Sequence, residues 1–358
     1  MAKNNSSLTK TKVLYIVESF STGVYAIVRD VACNLDKDKF EVLIIHSLRD
    51  DSPKTIDQDF IQSNITLKYV PMGTKKDYFK AIKAIKEITK EYKPDAIHLH
   101  SSKAGFLGRL AIKGQCENVL YSPHGLSFLR TDVNKLFRFI FFQLEYWINK
   151  YVPSKIISVS EGENQHALRI TKNSIVINNF IDTSAFVEKV EEGEQIVTCG
   201  RISPQKNPTL FNEIARALPK EQFLWIGDGP LKETLNSPNI NITGLLSRQE
   251  AVDNVKKASV YLQTSLWEGM PVSILEAMAA SKVVVATNVV GNRDLIEDQK
   301  TGYLGSPDDV DFFVETLTKL RKDGNLRKKI GDNAKSYIMK NHDLKRAISL
   351  YENNYLNK

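Results

Sequence analysis

Short apolar runs alternate with helical periodicities along most of the chain. Each run has four to six residues, the length of a buried strand, and polar or glycine-containing segments separate the runs. This alternation predicts βαβ units that form parallel sheets with right-handed crossovers. The strand candidates are residues 13–17, 41–46, 66–70, 96–100, 119–122 and 156–160 in the first half, and residues 195–199, 222–226, 240–243, 260–264 and 282–287 in the second.

The 358 residues favour two domains, because a single hydrophobic core stops growing beyond about 250–300 residues. The division falls near residues 182–195, where the sequence is polar and acidic without a strong apolar period. We therefore predict an N-terminal domain over residues 1–184 and a C-terminal domain over residues 185–340. Residues 325–358 are predicted to be helical throughout.

Glycine, charged and imidazole residues follow the carboxyl ends of several predicted strands. In open α/β sheets the ligand crevice lies outside these ends. Five loops with such residues on one edge therefore predict a binding site there. The residues are His124, Gly200 with Arg201, Gly227, Glu268 and Gly291.

One stretch combines two carboxylates with a helix start. Glu268 lies in a loop after the predicted strand 260–264, and Glu276 lies eight positions later inside a helix. Gly269 breaks the chain after the strand, and Pro271 suits a first helical turn, where its missing N–H costs nothing. Free helix N–H groups beside Glu268 attract a phosphate or sugar oxygen, and a carboxylate matches paired sugar hydroxyls. The alternative is a surface loop and helix with two solvated acids.

A second stretch places two cations beside a glycine. Gly200 lets the backbone approach a ligand, and Arg201 and Lys206 lie in a short loop before a helix that Asn207 caps and Pro208 begins. An arginine fork and a lysine point charge together suit two linked phosphates. We expect both side chains to be exposed. The alternative is a solvated cationic loop.

These two stretches resemble the Glu-x7-Glu and Gly-Arg-x4-Lys motifs of the retaining glycosyltransferases of family 4, which have the GT-B architecture. The resemblance implies a nucleotide-diphosphate sugar as co-substrate, and we expect a UDP-sugar. Arg201 and Lys206 would bind its diphosphate, Glu268 its sugar hydroxyls and Glu276 its ribose. No other cofactor and no metal are expected. Further donor contacts are implied at Gly200, Gly227, Gly244, Gly269, Met270, Pro271 and Val272.

The same resemblance locates the acceptor side in the first half. Residues 121–128 look like the family's His-Gly loop, in which His124 faces the reacting sugar. Its implied role is catalytic, together with Arg201, Lys206 and Glu268. Further acceptor-side contacts are implied at Gly23, Ser102 and Lys103.

His98 and His100 belong to a stretch that resembles the His-x-His-Ser-Ser-Lys-Ala-Gly sequence of bacterial polysaccharide glycosyltransferases. Strand alternation puts both imidazoles on one face, so a metal pair is one interpretation. No third ligand is evident in the sequence, and we favour packing in the core or behind the site.

The resemblance implies an α/β fold of the GT-B type, in which two Rossmann-like domains face a central cleft. It also implies that the C-terminal helix, residues 341–358, crosses back and packs on the N-terminal domain. The sequence departs from the family pattern in two places. Asn179 and Phe180 stand where the segment between the domains has a single glycine, and the first loop carries Gly23 where many relatives have a glycine pair.

Composition constrains the compartment. The chain is 42% hydrophobic and 25% charged, as in an ordinary globular protein. Three cysteines without paired spacing argue against a disulfide framework or a zinc site, which fits a reducing cytoplasm. No apolar run approaches the length of a signal-peptide core or a membrane span. We expect a cytoplasmic protein.

The net charge of +7 has several explanations: nucleic acid, an anionic membrane surface, anionic small substrates, or a Lys-rich proteome. No nucleic-acid-binding signature is present, so we expect no nucleic acid partner. Residues 135–151 are aromatic or aliphatic except for a polar stripe of Lys135, Arg138, Glu145 and Asn149. This helix is either buried or helps to seat the protein peripherally on the inner face of the cell membrane.

The implied function is transfer of a hexose or N-acetylhexosamine to a lipid-linked saccharide acceptor, with retention of configuration. Capsule, exopolysaccharide or O-antigen synthesis is the expected setting. One alternative is a GT-B nucleotide-sugar epimerase, which would isomerise the sugar without an acceptor. Another is a non-catalytic nucleotide-sugar-binding partner of a larger assembly, against which the intact set of Arg201, Lys206, Glu268 and Glu276 argues.

Overall fold

Two parallel sheets organise the protein in a computed structural model that describes residues 9–49, 51–53, 56–61, 63, 65–188 and 191–357. The first sheet has seven strands in the order β3-β2-β1-β4-β5-β6-β7. They are β1 Thr11–Val17, β2 Phe40–His46, β3 Thr66–Tyr69, β4 Ala96–His100, β5 Asn118–Ser122, β6 Lys155–Ser158 and β7 Ser174–Val176. The helices of this half are α1 Thr22–Asn34, α2 Ile56–Ile61, α3 Tyr78–Tyr92, α4 Ser102–Ile112, α5 Lys135–Tyr151 and α6 Glu161–Ala167.

The second sheet has six strands in the order β10-β9-β8-β11-β12-β13. They are β8 Ile196–Cys199, β9 Phe223–Ile226, β10 Ile240–Ile242, β11 Val260–Gln263, β12 Val283–Thr287 and β13 Gly302–Gly305. The later helices are α7 Pro208–Ala217, α8 Arg248–Lys256, α9 Val272–Ala279, α10 Val290–Arg293, α11 Val310–Lys322, α12 Gly324–Asn341 and α13 Leu344–Tyr355. Every adjacent pair of strands in both sheets is parallel.

The α/β prediction is confirmed, and each predicted strand is present with bounds within two residues of those expected. Two strands were missed. β7 has only three residues, all of them half-buried, and β13 carries a glycine at each end. Neither presents the continuous apolar run by which a buried strand is recognised in a sequence.

Residues 325–341 and 344–355 are helical, as predicted, but the chain breaks between α12 and α13. Asp343 caps α13 by accepting from the N–H of Lys345. Ile181 fills the break: its N–H donates to the carbonyl of His342, and its own carbonyl accepts from the N–H of Leu344. These two bonds fix the segment that connects the halves and turn α13 away from α12.

The last helix, α13, packs on the first sheet. The Tyr355 hydroxyl lies 2.8 Å from the Tyr15 hydroxyl and 2.8 Å from Nδ1 of His98. Asn118 at the start of β5 donates to the Asn354 carbonyl at 3.0 Å. Tyr351 and Tyr355 are both buried against this sheet. The C-terminal residues therefore contribute core side chains to the first half.

The carboxyl ends of the two sheets face each other. A Cβ on Gly269, in the loop after β11, would lie 3.1 Å from the Gly125 nitrogen in the loop after β5. The starts of α1 and α9 also meet, since a Cβ on Gly23 would lie 3.6 Å from Cγ2 of Val272. Loops that follow strands of both halves thus line one shared cleft.

Candidate active site

Strained backbone marks the edge of the cleft. Four non-glycine residues with positive φ lie in the segments that connect strands β1, β4, β5 and β8 to their following helices or loops. A non-glycine side chain pays a steric cost in this conformation, and such positions concentrate at functional sites. The residues are Thr22 (φ 47°), Ser101 (φ 81°), His124 (φ 54°) and Asn207 (φ 49°).

Glu268 is the most densely coordinated carboxylate of the cleft. Its Oε1 lies 2.7 Å from Nζ of Lys206 and accepts from Gln263 at 3.0 Å and Ser265 at 2.7 Å. Gln205 donates to its Oε2 at 3.3 Å. The residue is 9% exposed, so these bonds operate with little solvent competition. The carboxylate is therefore held in one orientation before any ligand binds.

Lys206 differs from its sequence prediction in exposure. We expected an exposed loop cation, but the side chain is only 16% exposed because it lies against Glu268. Gly200 makes this possible: a Cβ there would lie 2.8 Å from Cε of Lys206. The two predicted donor motifs are thus one cluster in the structure.

Arg201 lies at the same loop but turns toward the first half. Its Nη1 is 3.6 Å from Oδ2 of Asp51, and its side chain is 42% exposed, as predicted. The two cations that follow Gly200 therefore differ in environment. Lys206 is buried against Glu268, whereas Arg201 is open to solvent.

The predicted glycines Gly200, Gly227 and Gly244 bring backbone segments into close contact. A Cβ on Gly227 would lie 2.3 Å from the Gly200 carbonyl oxygen, and a bridge pairs Gly227 with Gly244. All three have positive φ. Similarly, a Cβ on Gly291 would lie 2.3 Å from the Gly269 carbonyl oxygen. No side chain fits at Gly227 or Gly291 without moving the backbone of the cleft.

Glu276 lies on α9 and is buried. Burial raises the pKa of its carboxyl, and the guanidinium of Arg248 opposes that rise. Nη2 of Arg248 is 3.3 Å from Glu276, while Nη1 is 3.5 Å from Asp30 on α1. One guanidinium thus joins a carboxylate of each half across the cleft.

His124 lies half-buried between the two halves. Its Nε2 is 2.9 Å from Nδ1 of His100, and burial lowers its pKa to about 4. The next residue, Gly125, donates its N–H to Glu163 at 2.7 Å. Glu163 also accepts from the N–H of Val159 at 2.9 Å, yet burial raises its pKa to about 7. The His-Gly loop is therefore anchored through a buried carboxyl on α6.

The other predicted acceptor-side residues occupy different parts of the edge. Lys103 donates to Glu18 at 3.1 Å and to the Gly73 carbonyl at 3.0 Å. Glu18 is buried and also pairs with Arg49 at 2.5 Å. Ser102 begins α4, and Gly23 lies opposite Val272. Lys103 is thus held by the buried carboxylate of Glu18.

The pair of His98 and His100 lies in the core. His98 bonds to Ser122 at 2.9 Å and to Tyr355, and its ring centroid is 3.9 Å from that of His100. Within the described ranges, no group of three or more His, Cys, Asp or Glu residues is arranged to hold a metal ion.

Several site residues were missed at the level of sequence. Gln205 lies in the loop after β8, Gln263 ends β11 and Ser265 follows that strand. All three converge on Glu268, which no local pattern reveals. Glu163 had a signal: Ser160-x-x-Glu163 is a capping-box pattern, and Ser160 does cap α6. The Glu163 side chain, however, reaches past the cap to the His-Gly loop, which only the tertiary structure shows.

Two family sequence models match this chain. The one described as "Glycosyltransferase Family 4" matches residues 21–185, and the one described as "Glycosyl transferases group 1" matches residues 180–337. Together they span both sheets and the cleft. The chain belongs to the family 4 glycosyltransferases. It is therefore a glycosyltransferase, an enzyme that uses a nucleotide sugar.

Relatives and solved structures agree with this assignment. An Escherichia coli protein, UDP-Gal:alpha-D-GlcNAc-diphosphoundecaprenol alpha-1,3-galactosyltransferase, is 28% identical over 325 residues, which cover 81% of this chain and 82% of that protein. The Anabaena protein HepE, solved with UDP and glucose, superposes with a TM-score of 0.80 at 16% identity, covering 97% of this chain and all of that one.

A sucrose-phosphate synthase from Thermosynechococcus elongatus has a TM-score of 0.82 at 16% identity, covering 98% of this chain and 100% of that one. At such identity these likenesses establish the fold. The glycosyltransferase therefore has the predicted GT-B architecture. In the described part of the chain, no helix combines the length and apolar character needed to cross a bilayer.

Proposed function

We propose that this glycosyltransferase moves a hexose or N-acetylhexosamine from a UDP-sugar to a lipid-linked saccharide, with retention of configuration, during synthesis of a bacterial surface polysaccharide. The observation that carries the proposal is the contact of Lys206 with Glu268. It joins the residue suited to a diphosphate with the residue suited to sugar hydroxyls, as a single donor site requires.

The donor end of the site supplies charge stabilisation. Arg201 and Lys206 bind the diphosphate and stabilise the negative charge that grows as the glycosidic bond breaks. Glu268 holds hydroxyls of the transferred sugar, and Glu276 holds the ribose. Because these two cations supply the positive charge, the reaction needs no metal.

The retaining outcome follows from which face of the sugar is attacked. The leaving diphosphate stays on the face from which the acceptor hydroxyl approaches and takes its proton. The new bond then forms on the face where the old one broke. This chemistry needs no protein nucleophile, and closure of the cleft limits hydrolysis by excluding water.

The choice of substrates is supported by the relatives. The Escherichia coli protein is named for UDP-galactose and a diphosphoundecaprenol-linked acceptor, and HepE was solved with UDP. A nucleotide-sugar epimerase or a non-catalytic binding partner is less well supported, because both family models describe glycosyltransferases.

A lipid-linked acceptor is also supported by the inverted polarity of α5. Two of its polar residues face the protein: Glu145 pairs with the buried Arg109 at 2.7 Å, and Asn149 accepts from Ser154 at 2.9 Å. Seven of its apolar and aromatic residues are exposed, with exposed fractions from 39% to 65%. They are Leu136, Phe137, Phe139, Ile140, Leu144, Trp147 and Tyr151.

An apolar face of this size on one helix needs a partner of low polarity. Cations border it: Nζ of Lys113 lies 3.7 Å from the ring centroid of Tyr151, and the Arg169 guanidinium lies 5.0 Å from that of Phe142. Aromatic residues beside basic ones suit the interface of an anionic bilayer. We propose that α5 rests there, which brings the enzyme to its lipid-linked acceptor.

Calorimetric titration with UDP, GDP and ADP, each in EDTA and in Mg²⁺, tests the donor assignment. We expect UDP to bind most tightly and EDTA to leave its affinity unchanged. Selective binding of GDP or ADP would contradict the choice of nucleotide. A requirement for Mg²⁺ would contradict metal-free diphosphate binding.

A further inference from the structure

His100 makes the only direct protein hydrogen bond to the His124 ring within the described residues. Nδ1 of His100 lies 2.9 Å from Nε2 of His124. His100 is 1% exposed, and three rings fix its plane: His98 at 3.9 Å, Tyr15 at 5.3 Å and His124 at 5.2 Å between centroids. The bond therefore has one geometry, and the position of its proton decides what His124 offers to the cleft.

One proton lies between the two rings. Burial lowers the pKa of His100 well below its usual value and that of His124 to about 4, so both imidazoles are neutral at physiological pH. A neutral imidazole carries one N–H. The hydrogen bonds of its two nitrogens decide which nitrogen carries that proton. Either His100 donates to His124 or the reverse.

The remaining nitrogen of His100 selects between the two. Its Nε2 is buried and has no hydrogen-bond partner among the described residues. A buried N–H without an acceptor is rarer in proteins than a buried acceptor without a donor. The proton of His100 therefore belongs on Nδ1, where His124 accepts it, and Nε2 carries the lone pair.

We propose that His100 is a positioning residue that locks His124 in the tautomer with its proton on Nδ1, so that His124 acts in the cleft as a hydrogen-bond donor. With Nε2 engaged and Nδ1 protonated, His124 has no free lone pair to accept a proton. It binds an oxygen of the substrate and is not the base of the reaction. This role rests on the proposed function only in assigning the oxygen to a sugar.

A His124 ring in this tautomer cannot take the proton of the acceptor hydroxyl. His124 is the half-buried imidazole beside the 268–269 loop, and its Nδ1 is its only nitrogen without a protein partner in the described structure. Because that nitrogen donates, the hydroxyl proton goes to the leaving diphosphate. The enzyme then depends on the donor itself for general-base chemistry.

The direct test is ¹⁵N NMR of the protein with labelled histidine. The chain has six histidines, and loss of signals in His124→Gln assigns that ring. We expect the pattern of a neutral ring with the proton on Nδ1. A neutral ring with the proton on Nε2, or a charged ring at pH 7, would overturn the proposal.

Variants of His100 test the positioning role. His100→Leu removes the donor and keeps an apolar volume, whereas His100→Asn keeps an amide N–H near the position of Nδ1. We expect His100→Leu to mix the His124 tautomers and to lower kcat about 10- to 100-fold, the usual effect of losing a group that orients a functional histidine. His100→Asn should restore the tautomer and most of kcat, with the acceptor KM unchanged throughout.

His46→Leu is the control, because His46 is a buried imidazole at the end of β2 and bonds to neither His100 nor His124 in the described structure. It should leave the His124 tautomer as it is. An unchanged tautomer in folded His100→Leu would overturn the proposal, and if that variant unfolds, the wild-type and His100→Asn spectra decide. Failure of every UDP-sugar to react would overturn the proposed function, while the spectra would still judge the tautomer.

Discussion

Nζ of Lys206 lies 2.7 Å from Oε1 of Glu268, although 62 positions separate the two residues in the chain. Both side chains are largely buried, so neither charge is satisfied by bulk water. On the proposed function, Lys206 contacts Glu268 before the donor binds and a phosphate of the donor afterwards. The contact links catalysis to stability at this one residue.

Replacing Lys206 with Ala should lower kcat/KM by about 100-fold or more, as the loss of a preorganised charge does. It should also lower the melting temperature, because Glu268 is left buried without its cation. Arg201→Ala should reduce kcat/KM similarly but leave the melting temperature unchanged, since its side chain is 42% exposed. Lys220→Ala, at an exposed position of the same half, is the control. Near-normal turnover in both site variants would refute the diphosphate assignment.

The two glutamates should affect different parts of the donor. Glu276→Ala should weaken binding of UDP itself by about 1–3 kcal/mol, the value of a lost charged hydrogen bond. Glu268→Ala should weaken the UDP-sugar more than UDP. Calorimetry measures both, with the exposed Glu315→Ala as control. Equal losses for both ligands in both variants would contradict this division.

Glu163 should make stability depend on pH. Its pKa is about 7 in the folded protein against 4.5 for the ordinary group, because burial disfavours the charge. Between these values the folded state holds a proton that the unfolded state has lost, so the free energy of unfolding falls as pH rises. Over this pH range, the titration of Glu163 lowers the free energy of unfolding by on the order of 3 kcal/mol.

Glu163→Gln removes this titration. Denaturation from pH 4 to pH 8 measures the free energy of unfolding of both proteins. As pH rises, this free energy should fall more in the wild type than in Glu163→Gln. A difference that stays constant over this range would show that Glu163 remains ionised, held by the N–H groups of Gly125 and Val159.

The outward face of α5 should bind anionic membranes. Phe139→Asp and Trp147→Asp place a charge where the side chains are 59% and 64% exposed, so folding should be unaffected while cosedimentation with anionic vesicles drops. Phe79→Asp, at an 81% exposed site on α3, makes the same change elsewhere. Binding by the wild type should weaken with salt. Unchanged binding in both α5 variants, or binding lost equally in Phe79→Asp, would contradict the proposal.

The sequence predicted the strands well because a buried parallel strand is a continuous apolar run, which local composition reveals. The motif residues were also visible, since glycine, proline and charge cluster at the strand ends. Contacts between distant segments were not. Nothing near Glu163 indicates that it reaches Gly125, and nothing near Arg248 indicates that it joins Glu276 to Asp30.

The helix α5 shows why composition alone misled. Its aromatic content favoured a buried helix, but periodicity does not tell which face meets the protein. Arg109 is fully buried on α4, and it needs a partner there. Glu145 supplies that partner, so Glu145 and Asn149 of the polar stripe turn inward, whereas Lys135 of the same stripe and aromatic residues such as Phe139 and Trp147 are exposed. A buried cation on a neighbouring helix decided the orientation.

The most direct test of the proposed reaction is the anomeric configuration of its product. The enzyme is incubated with a UDP-α-sugar and a diphospholipid-linked saccharide, and the new linkage is examined by NMR as soon as it forms. We predict a lipid-linked product with an α-linkage and release of UDP. A β-linked product would contradict retention, and an isomerised nucleotide sugar with no lipid-linked product would contradict glycosyl transfer.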